Sequence, residues 1–230
     1  MSWREFWNRD TAIYSGDRHR ILHYRGIANG ITALVTSPDA VVLDHGSGEA
    51  LSADRVAARC RFLYLCDAAP LVRERLRARF AGEPRIAVLA PEEVENLQDE
   101  SLDLVVANSL LQYLTLEELR DLLALWRAKL KAGGQLVLAD VIPHDVGPAT
   151  DARALLAFAW RGGFLKRAVI GLARTALSDY RRLRDELGIA RYDEGEMVDI
   201  LRASGFAAER LQPNLGHNQA RMAFVARPAS

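Results

Sequence analysis

The sequence predicts an α/β chain built on an open, mostly parallel sheet, and three observations carry that prediction. From residue 40 onward, short apolar runs of strand length alternate with stretches of helical periodicity. The first of these runs leads through a glycine-rich turn into a helix, as strands do at the ligand-binding edge of such sheets. The 230 residues, half of them hydrophobic and about a quarter charged, suit one large globular unit with a substantial core.

Taken in order, residues 2–35 read as helical and are rich in Trp3, Phe6, Trp7, Tyr14, His19, His23 and Tyr24. Ile21, Tyr24, Ile27, Ala28, Ile31 and Leu34 recur at helical spacing, so 1–36 is an N-terminal helical cap with one buried stripe. Ser37-Pro38-Asp39 marks a turn before a strand at 40–43. Helices are expected near 51–59 and 71–80, with strands at 62–66, 86–89 and 102–107. Thr115-Leu116-Glu117-Glu118 opens a helix in capping-box fashion. That helix is expected to run to Leu130 and to stop before Gly133-Gly134, which reads as its C-terminal glycine signal. A fifth strand covers 135–139, so 40–140 forms the central core. Residues 151–188 form a helical insertion interrupted at Gly162-Gly163. It is apolar and basic, with Leu177, Tyr180 and Leu183 extending the stripe and Arg181, Arg182 and Arg184 among its eight cations against four acids. A helix over 193–204, ended by Gly205-Phe206, and strands near 210–212 and 221–225 complete the 193–227 segment.

The chemistry concentrates in Val41-Val42-Leu43-Asp44-His45-Gly46-Ser47-Gly48-Glu49-Ala50. Gly46 and Gly48 let a ligand approach the main chain, with Ser47 between them. A dinucleotide fingerprint would need glycine at position 51, which is Leu51, and phosphate binding does not call for Asp44. An acid at the strand end suits an ammonium group instead. Asp67, followed by Ala68, closes the second strand about twenty residues on, the spacing at which a carboxylate binds ribose hydroxyls.

With these residues the sequence resembles the class I S-adenosylmethionine-dependent methyltransferase family, in its generic small-molecule branch. Val42 to Ala50 looks like the family's first motif and Leu65-Cys66-Asp67 its second. Residues 101–114 are similar to the fourth-strand motif, and 130–140 to the stretch entering strand five. Ala50 replaces the third glycine that the family often has. The resemblance implies a Rossmann-like seven-stranded, mostly parallel sheet with helices on both faces, and S-adenosylmethionine as cofactor. It places Glu92 and Glu93 beside the adenine, and Asn108, Ser109 and Leu110 along the cofactor's inner side. Tyr14 would face the sulfonium, favoured by cation–π attraction.

Methyl transfer is mainly positioning and exclusion of water, with a base needed only for a protonated acceptor. The candidates are His23 in the cap, Tyr113 beyond strand four, and His217 in the turn 214–219. No metal is expected: Asn108 stands after strand four, and Asp140 is followed by Val141 rather than a second oxygen ligand. The insertion would lie over the acceptor, and its Trp160, Phe164 and Leu165 favour a small hydrophobic or aromatic acceptor. Its cations suit a peripheral membrane surface. Lys plus Arg equals Asp plus Glu at 30 each, which gives no global case for nucleic acid. Competing readings are an inactive methyltransferase-like scaffold, an NAD-dependent oxidoreductase and a nucleic-acid methyltransferase. Cys60 and Cys66 show neither disulfide nor metal spacing, and the start Met-Ser-Trp-Arg-Glu-Phe-Trp lacks a signal peptide's apolar core, so a reduced cytoplasm is the expected setting.

Overall fold

The computed structural model describes residues 3–8, 14–176 and 188–229. Seven strands form one sheet in the order β3-β2-β1-β4-β5-β7-β6: β1 (Val41–His45), β2 (Phe62–Cys66), β3 (Ile86–Leu89), β4 (Leu102–Asn108), β5 (Leu130–Val141), β6 (Phe206–Leu211) and β7 (Met222–Pro228). The first five pair in parallel, and β7 runs antiparallel between β5 and β6. The chain leaves β1 toward β2 and β3, then returns on its other side through β4. The C-terminal ends of β1 and β4 therefore flank the switch point where such sheets hold ligands.

The central strands β1, β4 and β5 are buried on both faces, so their side chains alternate between two cores. Leu43, Val105 and Leu138 point to one, which α5 (Pro91–Glu95), α6 (Leu116–Lys129) and α9 (Glu194–Ala203) cover with Val94, Leu123, Trp126 and Leu201. Val42, Leu104 and Val137 point to the other. It is covered by α2 (Asp17–Leu34), α3 (Ala53–Ala57) and α4 (Pro70–Arg79) with Ile27, Ile31, Val56 and Leu76. Helix α6 starts as its sequence dictates: the Thr115 hydroxyl accepts the Glu118 amide at 3.1 Å, and the Glu118 carboxylate accepts the Thr115 amide at 2.8 Å. Helix α1 (Trp3–Trp7) lies ahead of α2. The helical hairpin α7 (Pro148–Gly162) and α8 (Leu165–Ala176) turns at Gly163 in the left-handed region, φ +70°.

Several expectations change. Gly133-Gly134 is not a helix cap: α6 ends at Lys129, Leu130 pairs at once with Leu102, and both glycines lie inside β5. Gly134 runs so close to its neighbour that a Cβ would meet the Leu102 carbonyl at 3.0 Å, which is why the ladder takes glycine there. Phe206 opens β6 rather than ending the preceding helix, and the glycine loop consumes residues expected in a longer helix, leaving α3 at Ala53–Ala57. The expected cap is two helices, and the insertion begins at Pro148. Leu177, Tyr180, Arg181, Arg182, Leu183 and Arg184 lie outside the described residues.

Candidate functional site

Above the switch point lies a cavity of about 1510 Å³. Of the residues singled out in the sequence, Asp44, Gly46, Ser47, Gly48, Asp67, Ala68, Asn108, Ser109 and Leu110 line one part of it. Tyr14, His23, Tyr113 and His217 line another. Glu92 and Glu93 do not line it: both are exposed on α5, and Glu93 accepts the Ala90 amide at 2.6 Å while standing 3.8 Å from Arg77.

The loop after β1 is folded on itself. The amides of Gly46 and Ser47 donate to the Cys66 carbonyl at 2.8 and 3.0 Å, and that of Gly48 to the Asp67 carboxylate at 3.0 Å. The Glu49 amide donates to the Tyr24 hydroxyl at 3.0 Å. Four successive amides are thus spent within the protein rather than turned toward a pyrophosphate. Gly46 and Gly48 hold φ +83° and +57°, and Ala50, in place of a third glycine, is itself left-handed at +40°.

What the loop offers is negative charge. Burial, then the charge of Asp67, pushes the Asp44 carboxyl up to about 7. Burial also raises Asp67, against the amides of Gly48 and Ala69 that pull it down. Two buried carboxylates that resist joint ionisation favour a cationic occupant. Among the described residues, the buried Ser47 Oγ and Asn108 Oδ1 have no hydrogen-bond partner and stand in the same wall, as ligand-facing groups do. These features fit an adenosyl amino acid with its ammonium and sulfonium charges.

The other part of the cavity is aromatic. His217 stacks on Phe158 with centroids 4.9 Å apart, and His19 on Phe164 at 5.1 Å. His23 lies 6.1 Å from His217 and 5.5 Å from Tyr14. Burial holds His19 and His23 down to about 4, and His217 also below its ordinary value, so all three are unprotonated near neutrality. Tyr113 packs under α1, its ring 4.7 Å from Trp3 and 5.6 Å from Trp7.

Beside the two parts runs a half-buried ionic web that sequence reading missed. Arg221 binds Asp140 at 2.6 Å and Asp151 at 3.0 Å. Asp140 also accepts from the Ser109 hydroxyl at 2.7 Å and from Asn214 Nδ2 at 3.3 Å, while Asn218 Nδ2 reaches Asp151 at 2.8 Å. Asp140 is therefore saturated and orders the 214–219 turn. Ser109 and Asp140 sit at φ +56° and +61°, strained backbone at the tips of β4 and β5. Asp151 and Arg221 are 70 positions apart with no local motif; the one hint is an acid opening an otherwise basic insertion.

Residues 43–138 match the family model described as a methyltransferase domain. The whole chain superposes on the putative methyltransferase in complex with its Trm112 activator from Haloferax volcanii, with TM-score 0.63, 14% identity, and 100% and 99% of the two chains covered. An S-adenosylmethionine-dependent methyltransferase from Aquifex aeolicus matches with TM-score 0.55 and 15% identity over 86% of this chain and 87% of its own. Magnesium protoporphyrin IX methyltransferase from Synechocystis, with bound S-adenosylmethionine, matches at 0.57 and 13% over 99% and 89%. No curated protein matches the chain significantly. Residues 43–138 thus match a methyltransferase domain, and the chain has the fold of the class I S-adenosylmethionine-dependent methyltransferases.

Proposed function

We propose that the chain, acting as one domain over residues 1–230, methylates a small hydrophobic or aromatic acceptor without metal. The observation that carries this reading is one continuous cavity with an acidic, amide-spent loop at one part and a neutral aromatic-imidazole chamber at the other. When bound, S-adenosylmethionine supplies a methyl group on a positively charged sulfur. Asp44 receives the ammonium, Asp67 the ribose hydroxyls, and Ser47, Gly46, Gly48 and Ala68 shape the cleft. Asn108, Ser109 and Leu110 bound its inner side, and Tyr14 faces the sulfonium. His217 takes a proton from a hydroxylated acceptor, since burial leaves its imidazole free at neutral pH. His23 and Tyr113 hold the acceptor in line, and the α7–α8 hairpin excludes water.

Calorimetric titration with S-adenosylmethionine, S-adenosylhomocysteine and NAD tests the cofactor half. Adenosyl ligands should bind and NAD should not, and Asp67→Ala should weaken binding at least about tenfold. A folded protein that binds neither adenosyl ligand overturns the reading and leaves a methyltransferase-like scaffold. For the acceptor half, His217→Asn should lower kcat toward a hydroxylated aromatic acceptor by roughly 10²–10⁴-fold while sparing S-adenosylhomocysteine affinity.

A further inference from the structure

The α7–α8 hairpin closes the aromatic part of the cavity, yet its outer face is the least conventional surface of the molecule. Trp160 is 74% exposed, and Val169 and Ile170 are each 53% exposed. These are three of the six large hydrophobic side chains left exposed among the described residues, and they sit on one hairpin. Around them stand Arg153, Arg161, Lys166, Arg167 and Arg174, all exposed and, among the described residues, none in an ion pair. The one acid on the two helices, Asp151, is occupied by Arg221. The hairpin therefore carries a local excess of four positive charges on a chain with net charge zero.

Exposed tryptophan and branched aliphatics interleaved with free cations match a bilayer surface: the cations meet anionic headgroups while the apolar side chains enter the boundary with the acyl chains. No helix among the described residues is long and apolar enough to cross a membrane, so the fitting mode is surface attachment. The same helix joins that surface to the cavity. Arg167, Ile170 and Arg174 are exposed and also line the cavity, whereas Trp160, Arg161, Lys166 and Val169 are exposed and do not. The hairpin packs against α2 and the residues just before it, with Arg167 beside Gly16, Ser15 beside Gly171 and Phe164 stacked on His19.

We propose that the outer face of the α7–α8 hairpin docks on an anionic lipid surface, and that a lipid-dissolved acceptor enters the cavity past Arg167, Ile170 and Arg174. The docking half stands on the exposed face alone; the entry half rests on the methyl-transfer reading above.

The test uses the full chain with vesicles of phosphatidylcholine and phosphatidylglycerol in equal parts, against phosphatidylcholine alone. Wild-type protein should co-sediment with the anionic vesicles only, with a blue shift of tryptophan fluorescence that Trp160→Phe removes. Arg161→Glu with Lys166→Glu should weaken vesicle binding at least about tenfold, because each cation near such a surface contributes substantially. Trp160→Ser with Val169→Ser should weaken it several-fold. S-adenosylhomocysteine affinity, read in parallel, should be unchanged in both variants. Failure to bind anionic vesicles, equal binding by the charge-reversed variant, or a shift of Trp160 caused by self-association or duplex DNA without vesicle binding would each overturn the proposal. Loss of cofactor binding in the wild type would instead defeat the methyl-transfer reading and leave the vesicle result standing.

Discussion

The Tyr24 hydroxyl stands directly over Gly48: a Cβ on that glycine would meet it at 2.7 Å, and the same oxygen accepts the neighbouring Glu49 amide at 3.0 Å. Tyr14 donates to it as well, at 3.1 Å. Helix α2 is thereby bonded to the loop that faces the acidic part of the cavity.

Tyr24→Phe keeps the ring and loses the acceptor, leaving the Glu49 amide and the Tyr14 hydroxyl unpaired. Chemical denaturation should show a loss of about 1–3 kcal/mol, and calorimetry a several-fold weaker S-adenosylhomocysteine affinity. Gly48→Ala should cost more in affinity, since it adds left-handed strain at φ +57° to the clash.

Asp44 gives a pH signature of opposite sign for stability and for ligand. Its carboxyl titrates near 7 in the folded protein against an ordinary 3.8, so the native state holds a proton that the unfolded chain has lost. Stability should fall as pH rises through that window, and Asp44→Asn should raise the unfolding free energy at pH 8 by on the order of 1–4 kcal/mol, read by chemical denaturation. A cationic ligand selects the ionised carboxylate, so affinity should drop up to about tenfold per pH unit below 7. Calorimetry in buffers of different ionisation heat should detect the released proton, and Asp44→Asn should abolish that dependence.

His19 and His23 act in the other direction. Both are held down to about 4, below the ordinary 6.5, so the unfolded chain binds protons that the native state refuses. Their cost is absent above 6.5 and grows as pH falls toward 4, so Tm should decline across that range. His19→Phe, which preserves the stack on Phe164, should flatten the decline.

Arg221 lies between Asp140 and Asp151, with its side chain 14% exposed. Arg221→Met should destabilise the fold by roughly 1–4 kcal/mol, because two half-buried carboxylates lose their counter-charge. Adding Asp140→Asn and Asp151→Asn should recover much of that loss in denaturation curves, the pattern expected of a coupled unit.

Local signals carried most of the fold. Apolar runs located the first five strands and the last, β6 was expected near 210–212 but runs Phe206–Leu211, and Thr115 with Glu118 set the start of α6 as read. Gly133-Gly134 misled because glycine after a helical stretch serves a cap and a close-packed strand equally well; the deciding contact, the Leu102 carbonyl, lies elsewhere in sequence. At the site, residues beside the strand ends were legible because an acid or glycine at a strand terminus has a local reason. The Asp140–Arg221–Asp151 web was not. It joins β5, α7 and the approach to β7, and only the finished sheet brings those three segments together.

The wall of the cavity is assembled from stretches far apart in the chain: α1, the start of α2, the glycine loop, the 214–219 turn and the α7–α8 hairpin. Any molecule that fills both parts bridges these segments, and its binding energy adds directly to the free energy of unfolding. Heat resistance therefore becomes a detector for the missing acceptor that requires no turnover. With S-adenosylhomocysteine held at saturation, a compound library can be ranked by the further rise in melting temperature, and compounds that raise it only in the presence of the cofactor product are those that occupy the adjoining chamber.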